Sequence, residues 1–340
     1  MRPDQRIALD VMGGDNAPAC NIDGALHAVE QELPAERILL VGDEAVVRAE
    51  LAAREGSPEF DVLHAPETIS MDEKPGVALR AKPLSSISVA TGAVKQGAAG
   101  AHVSMGNTGA VVGAATVGLK TLDGVRRPGI AVTVELTGKP VTLLDMGANV
   151  SPKADHLLQY GHMGSVLTRD VLGCEAPRVG LLNIGEEDSK GTDLLREAHG
   201  LLSASELDFV GNVESNHIFR DACDVLVTDG FTGNVVLKLL EGFSGFMLRL
   251  VLSELHKSGL PLGAGGNGSS GTPDALANVQ RAIDYSEYGG ALLLGVRGVV
   301  VIGHGRSDAR AVSNALGLAA RAMDADVNGH IVAGLAQTSA

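Results

Sequence analysis

Five times in this chain a short apolar run ends in a cluster of Gly, Asn, Asp, Thr or Ser. Such runs, bounded by turn residues, are typical of the buried strands of a parallel sheet. A helical pattern follows each of them, so we expect the clusters at strand carboxyl ends, together on the one sheet edge where open α/β sheets bind their ligands. The five segments are IALDVMGGD (7–15), AHVSMGNTG (101–109), VTLLDMGAN (141–149), VGLLNIGEED (179–188) and DVLVTDGFTGN (224–234).

The first third of the chain alternates between strand-like and helix-like segments. This alternation predicts βα units joined by right-handed crossovers, and therefore an α/β fold with a mainly parallel sheet. With 340 residues, 45% of them hydrophobic, the chain can bury a substantial core. We expect one large α/β domain over residues 1–340. The predicted segments are strands 7–11, 37–42 and 60–64 and helices 18–32 and 43–55.

The second half continues the pattern and then departs from it. Ser151, Pro152 and Gly173 delimit a predicted helix, and a strand is expected at 178–184. Residues 242–260 place Phe243, Phe246, Met247, Leu250 and Val251 on one helical face, with Leu255 at its margin. The glycine-rich stretch 262–273 predicts a loop. We therefore expect a helical excursion with a glycine-rich loop at 242–288, followed by a strand or strand pair within ALLLGVRGVVVIGHG (291–305) and a helix at 307–325.

Composition limits the partners of the chain. Lys and Arg number 27 against 41 Asp and Glu, which gives a net charge of −14. Nucleic-acid binding, which needs clustered cations, is not expected. The three cysteines, Cys20, Cys174 and Cys223, are isolated, so neither a disulfide framework nor a zinc site is indicated, and we expect a cytoplasmic protein.

Several common catalytic motifs do not occur in the sequence. There is no Walker P-loop, no HExxH and no GxSxG elbow. A literal GxGxxG at Gly263, Gly265 and Gly268 follows no predicted strand, and we interpret it as a chance match. We therefore expect neither a metal nor an organic cofactor.

Polar residues at predicted helix starts are the first candidates for a site. Asn107 and Thr108 in GNTGA, and Asp229, Thr232 and Asn234 in DGFTGN, could hold an anion through amide and hydroxyl groups. Plain helix capping explains the same residues equally well. Two such caps on one sheet edge would favour a site.

Charged residues near these segments supply further candidates. Lys190 lies beside three carboxylates in GEEDSKG, where a solvated loop is the alternative interpretation. Arg80 and Lys82, just ahead of Ser85 and Ser86 at another predicted helix start, could pair with phosphate or face water. Turn capping is the expected role of Asp10, Asp15 and Asp145, with catalysis as the less favoured alternative. His304 is the one histidine that its position at a strand end makes a catalytic candidate.

The motifs, taken together in their order and spacing, strongly resemble one known family. LDVMGGD, VSMGNTGA, LDMGANV, NIGEED with SKG, DGFTGNVVLK and GHGRS match the bacterial acyl-carrier-protein:phosphate acyltransferases, the PlsX family, from about residue 6 to residue 320. The resemblance implies transfer of a fatty acyl group from acyl-[acyl carrier protein] to inorganic phosphate, giving an acyl phosphate for phospholipid synthesis. It also implies a fold similar to isocitrate and isopropylmalate dehydrogenases and to phosphotransacetylase: three α/β/α layers with a mixed, mainly parallel sheet.

The resemblance assigns roles to individual residues. Lys190 and Asn234 match positions that the family is thought to use in catalysis. The other candidates are expected to bind substrate: Arg80, Lys82, Ser85, Ser86, Asn107, Thr108, Asp145, Asn149, Asp229, Thr232 and His304.

The resemblance also implies partners and a location. We expect a homodimer that meets acyl carrier protein and phosphate, and a downstream glycerol-3-phosphate acyltransferase as a further partner. Weak peripheral binding at the inner face of the membrane is a hypothesis for 242–260, since this helix could equally be core or dimer interface. Arg126, Arg127 and Lys120 are candidates, by charge, for carrier docking.

Simple chemistry is consistent with this set of residues. Phosphate is already anionic near neutral pH, and a thiol of pKa about 8.5 leaves without a strong acid. The site then has only to position an anion and stabilise an oxyanion. Two alternatives stay open, a dehydrogenase on the same fold and a non-catalytic scaffold that binds a phospholigand.

Overall fold

The computed structural model describes residues 5–135, 138–257 and 288–337. Within these residues eleven strands form one sheet. The first half contributes β1 (Ile7–Asp10), β2 (Ile38–Gly42), β3 (Asp61–His64), β4 (Ala101–Ser104) and β5 (Gly129–Glu135). The second half contributes β6 (Pro140–Leu144), β7 (Arg178–Asn183), β8 (Asp208–Glu214), β9 (Val225–Val227), β10 (Ala291–Leu294) and β11 (Val299–Ile302).

Ten helices of this part of the chain cover the sheet. Short polar side chains cap several of them: Asp43, Ser85, Asn107, Thr192 and Asp308 each accept a backbone N–H of the first turn. The helices are α1 (Ala19–Glu30), α2 (Glu44–Ala52), α3 (Pro75–Ala81), α4 (Ser86–Lys95), α5 (Thr108–Gly118), α6 (Ala154–Asp170), α7 (Asp193–Ser203), α8 (Gly230–Lys257), α9 (Ala309–Asp324) and α10 (Val327–Gln337).

The sheet is mixed and mainly parallel, in the order β3-β2-β1-β4-β11-β10-β5-β6-β9-β7-β8. Strand β10 pairs antiparallel with both β11 and β5, and β5 pairs antiparallel with β6. The other pairings in the described residues are parallel. As a consequence, the parallel group β3-β2-β1-β4-β11 and the parallel group β6-β9-β7-β8 run in opposite directions.

Alternating residues of the strands build a separate core on each face of the sheet. Ile7 and Leu9 of β1 belong to one core, together with Ile22 of α1, Leu157 of α6 and Leu316 of α9. Ala8 lies on the other face, with Ile87 of α4. Helices therefore cover both faces, and the predicted three-layer α/β/α architecture is confirmed.

Some element boundaries differ from the sequence prediction. The helix predicted at 242–260 and the short helix after DGFTGN form one continuous helix, α8, of 28 residues. Gly242 and Gly245 do not break it, since a glycine in a helix interior costs only about 1 kcal/mol relative to alanine. The glycine-rich stretch 262–273, and most of the excursion predicted at 242–288, lie outside the described residues.

Candidate functional site

The chain order creates two topological switch points, where the chain leaves neighbouring strands in opposite directions. In the first half, β1 leads to β2 on one side while β4 lies on the other. In the second half, β7 leads to β8 on one side while β9 lies on the other. Ligands of open α/β sheets bind outside the carboxyl ends of strands at such points. We name the two crevices the β1/β4 site and the β7/β9 site.

The β7/β9 site brings together six of the predicted residues on three neighbouring strands. The loops after β6, β9 and β7 lie side by side because these strands are adjacent and parallel. These loops and the start of α8 carry Asp145, Asn149, Lys190, Asp229, Thr232 and Asn234.

Asp145 organises the loop that follows β6. Its Oδ1 accepts the backbone N–H groups of Ile130, Gly147 and Ala148 at 2.8 to 3.0 Å, and its Oδ2 accepts that of Asn149 at 2.7 Å. The side chain is fully buried. Burial raises the pKa of this carboxyl, and the backbone donors counteract the rise. Asp145 therefore holds the loop in shape and has no oxygen exposed to a substrate.

Asn149 extends the same network towards the sheet. Its amide nitrogen donates to the Pro128 carbonyl at 2.6 Å and to the Tyr160 hydroxyl at 2.7 Å. Tyr160 is buried on α6, and no sequence pattern marked it. Asn149 thus serves as a link between the loop, β5 and α6.

The start of α8 packs directly on this loop. Asp229 accepts the backbone N–H groups of Phe231 and Thr232 at 3.0 and 2.9 Å and the Thr232 hydroxyl at 2.6 Å. Asn234, one turn into the helix, is exposed, and its side chain lies against Gly147, within 3.9 Å of where a Cβ would stand. Asn234 is therefore presented to solvent beside the Asp145 loop.

Lys190 lies on the loop after β7, and two buried asparagines donate hydrogen bonds to the backbone of this loop. Asn183 donates to the Lys190 carbonyl at 3.2 Å, and Asn212 donates to the Glu187 carbonyl at 2.9 Å. The Lys190 ammonium group is 3.7 Å from the Glu187 carboxylate, and 47% of its side chain is exposed. A loose pair of this kind leaves the ammonium group available to an anion.

The β1/β4 site contains a second buried carboxylate. Asp10 accepts the Met12 N–H at 3.1 Å and the Ser104 hydroxyl at 2.7 Å. Its burial is complete, and this desolvation raises its pKa. Like Asp145, Asp10 accepts hydrogen bonds from backbone N–H groups of its own turn, which confirms the capping role predicted for these two aspartates.

Asn107 and Lys82 fix the loop 68–73, which lies beside the β1/β4 site. The Asn107 amide donates to the carbonyls of Ser70, Met71 and Glu73 at 2.9 to 3.3 Å, and its oxygen caps α5. Lys82 donates to Glu73 at 2.6 Å and to the Thr68 carbonyl at 2.8 Å. The Lys82 bond holds the pKa of Glu73 below its usual range. Glu73 is a residue that sequence reasoning missed.

The remaining candidates of the β1/β4 site differ in how far their side chains are exposed to solvent. Ser85 caps α4, and Ser86 is 1% exposed and acts on the buried Asp10 carboxyl. Arg80 is exposed and donates to the Gly76 carbonyl of its own helix at 2.8 Å. Thr108 is exposed at the first turn of α5.

His304, on the loop after β11, lies within the electrostatic reach of α8. Burial is the main cause that lowers its pKa, and the charges of Glu241 and Lys238 of α8 also act on it. Since α8 begins at the end of β9, the helix reaches from the β7/β9 site towards the loop after β11.

Two expectations need correction. The five clusters were expected on one sheet edge, but β1 and β4 end at one edge and β6, β7 and β9 at the opposite edge, because β10, β5 and β6 reverse the chain direction. The loop amides were expected to hold a ligand anion. These N–H groups are already paired with carboxylates of the protein. The Met12 N–H donates to Asp10, those of residues 147–149 donate to Asp145, and those of residues 231–232 donate to Asp229.

The described residues contain neither a candidate metal site nor a candidate membrane span. No group of three or more His, Cys, Asp or Glu side chains in this part of the chain is placed to hold a metal ion. No described helix is long and apolar enough to cross a membrane.

Comparison with solved structures defines the class of fold. A phosphotransacetylase from Streptococcus pyogenes superposes with a TM-score of 0.61 at 17% identity, over 94% of each chain. A 4-hydroxythreonine-4-phosphate dehydrogenase from Klebsiella pneumoniae gives 0.55 at 16% identity, over 93% of this chain and 98% of the other. The protein therefore has the fold shared by phosphotransacetylases and this dehydrogenase.

Comparison of sequences gives the family. Residues 5–330 match the family described as fatty acid synthesis protein, and the chain belongs to it. A relative from Pelotomaculum thermopropionicum, named phosphate acyltransferase, is 44% identical over 94% of this chain and 92% of its own length. A phosphate acyltransferase from Bordetella parapertussis is 45% identical over 92% of this chain and 88% of its own.

Proposed function

We propose that this protein transfers a fatty acyl group from acyl-[acyl carrier protein] to inorganic phosphate, and that the acyl phosphate serves phospholipid synthesis. Relatives at 41–45% identity named phosphate acyltransferase support transfer to phosphate. One structural observation carries the proposal. Lys190, on the loop after β7, and Asn234, in the first turns of α8 after β9, follow adjacent parallel strands at a switch point, and both side chains are exposed there.

The proposed reaction needs only positioning and charge stabilisation. A phosphate oxygen attacks the thioester carbonyl carbon and forms the new C–O bond. The C–S bond then breaks, and the thiolate leaves and takes a proton from solvent. Lys190 holds the phosphate or the developing oxyanion, and Asn234 donates a hydrogen bond to the carbonyl oxygen.

The buried polar residues support this chemistry indirectly. Asp145, Asp229 and Asn149 fix the loops from which Asn234 projects, so we assign them to positioning. Thr232 gives its hydroxyl hydrogen to Asp229, which leaves the oxygen lone pairs for a donor. In the β1/β4 site, Thr108, Arg80 and His304 are the substrate-binding candidates with some exposure. Ser85, Ser86, Lys82 and Asn107 shape the loops around them.

The cellular setting is also a proposal. We propose a cytoplasmic homodimer that receives its donor from acyl carrier protein and passes acyl phosphate to a glycerol-3-phosphate acyltransferase. Peripheral contact with the membrane would shorten that transfer.

Helix α8 supports the membrane contact. Six of its apolar side chains lie within about 120° of one face at 3.6 residues per turn. Each is 43% to 67% exposed, and an exposed apolar stripe of this kind marks an interaction surface. They are Phe231, Val235, Leu239, Phe243, Phe246 and Leu250.

A direct assay tests the reaction. The protein is mixed with a long-chain acyl-carrier thioester and inorganic phosphate, and acyl phosphate is trapped with hydroxylamine as the hydroxamate. We expect hydroxamate to exceed the background from direct attack of hydroxylamine on the thioester only when phosphate and protein are both present. Phosphate binding without turnover would instead identify a non-catalytic scaffold, and NAD raising the melting temperature would favour the dehydrogenase alternative.

A further inference from the structure

An exposed cluster of cations lies at the same sheet edge as Lys190 and Asn234. It consists of the segment 119–128, the turn 295–298 and residues 150–156, which we call the basic rim. Strands β5 and β11 begin at this edge, and β6 and β10 end there. The rim carries five exposed cations, Lys120, Arg126, Arg127, Lys153 and Arg297, against two carboxylates, Asp123 and Asp155.

The charge of the rim is opposite to that of the whole chain. The chain has a net charge of −14, whereas the rim has a net charge of +3 from five cations and two carboxylates. Arg297 pairs with Asp123, and Arg126 pairs with Asp155. Within the described residues no ion pair forms at Lys120, Arg127 or Lys153. These three charges are free to meet an external anion.

The cations lie close together and on a rigid support. The pKa of His156 is lowered mainly by burial and further by the positive charges of Arg127, Arg126 and Lys153. All three cations therefore lie near this histidine. Gln159 of α6 accepts the Arg126 N–H at 3.0 Å and donates to the Gly124 carbonyl at 2.8 Å. On the other side, the Arg297 N–H donates to the Lys120 carbonyl at 3.0 Å.

We infer that the basic rim is the docking surface for an acidic protein partner, the carrier domain that delivers the acyl thioester. This inference rests on the proposed function. Five exposed cations on three chain segments suit an acidic helix better than a single phosphate, which needs donors that converge on one anion. The rim adjoins the Asp145 loop, so a carrier docked there has its thioester beside Asn234.

A charge-reversal variant tests the inference. Arg127→Glu with Lys153→Glu should raise the KM for acyl-carrier thioester by about tenfold or more, because rim charges set the rate of encounter. The KM for an acyl thioester of a small thiol, and that for phosphate, should not change. A matched control, Arg48→Glu with Lys139→Glu, makes the same change in net charge away from the rim and should leave all three values unchanged.

Binding is measured separately from turnover, so that the two proposals can fail separately. Titration of wild-type protein with acyl-carrier thioester should give an affinity that falls with added salt and falls at least tenfold in the rim variant. Equal carrier affinity in the two proteins would overturn the inference, even if acyl transfer is observed. Loss of binding to anionic vesicles with unchanged carrier affinity would also overturn it, and would assign the rim to lipid. Carrier binding to the rim without any acyl transfer would overturn the proposed function alone.

Discussion

Gly230, the first residue of α8, lies so close to Asp145 that a Cβ at this glycine would stand 2.8 Å from the carboxylate Oδ2 and 2.6 Å from the Asn149 carbonyl oxygen. Real Cβ atoms do not approach that closely, so only glycine permits the helix to begin on the loop. The position of Asn234, one turn later, depends on this contact.

Replacing this glycine should displace the helix start. We expect Gly230→Ala to cost about 1–3 kcal/mol of unfolding free energy, as overpacking does, and to lower turnover. Gly242→Ala on the same helix is the control. Nothing lies within 4 Å of its Cβ position, and alanine should stabilise the helix by about 0.5–1 kcal/mol. Urea unfolding measures both, and an equally stable and active Gly230→Ala variant would contradict the packing argument.

Removing either proposed catalytic side chain should reduce activity without loss of fold. We expect Asn234→Ala and Lys190→Ala each to lower kcat by about 10²–10³, the usual loss for one oxyanion donor. Lys238→Ala, one turn further along α8, serves as the control and should retain most of the activity. Melting temperatures should stay within a few degrees of wild type. Wild-type rates in both alanine variants would refute the assigned roles.

The Asp145 carboxylate should stabilise the folded state through the backbone hydrogen bonds that it accepts. Asp145→Asn places an NH2 group against backbone N–H donors. We expect a loss of about 1–3 kcal/mol per unsatisfied group in urea unfolding. Asp123→Asn, at a carboxylate that is 80% exposed, should change stability by less than about 0.5 kcal/mol. Similar values for the two variants would mean that Asp145 does not hold the loop.

A buried histidine should make stability depend on pH. Burial lowers the pKa of His102 from 6.5 to about 4, so the unfolded chain binds a proton in this interval that the folded chain rejects. Stability is therefore lost as pH falls from 6.5 to 4, by about 3 kcal/mol. His102→Gln should remove that part of the slope in urea melts recorded across the interval. An unchanged slope would show that another group is responsible.

The apolar stripe of α8 makes the membrane hypothesis testable. Replacing Phe243, Phe246 and Leu250 with serine should abolish co-sedimentation with phospholipid vesicles. Val117→Ser on α5, at an apolar residue that is 80% exposed, is the control and should sediment as wild type does. If the triple variant still binds vesicles but becomes monomeric in analytical ultracentrifugation, the stripe is a dimer interface.

Much of the fold could be predicted from the sequence. The apolar runs gave the parallel strands, and Pro152 and Gly173 bracketed α6, because buried strands and helix ends have strong local signals. Strand direction has no such signal. The reversal through β10, β5 and β6 depends on long-range pairing, and for this reason the loops after β4 and β9 lie at opposite edges rather than together.

The site was predicted less completely than the fold. Motif resemblance singled out Lys190 and Asn234, and their placement just after the adjacent strands β7 and β9 agrees with a shared role. Tyr160 and Glu73 gave no signal, because a buried hydroxyl on a helix and a lone glutamate in a loop look like ordinary core and surface. Only coordinates reveal that Tyr160 accepts from Asn149 and Glu73 from Lys82.

Asp10, Asp145 and Asp229 act as internal counter-ions, each neutralising the exposed N–H dipoles of its own turn. Chloride or sulfate from the surroundings therefore finds few open amides at these three turns, and discrimination between anions falls to protruding side chains. Such side chains can be exchanged singly without disturbing the backbone. The scaffold can in this way keep its loops fixed while different descendants acquire different substrates.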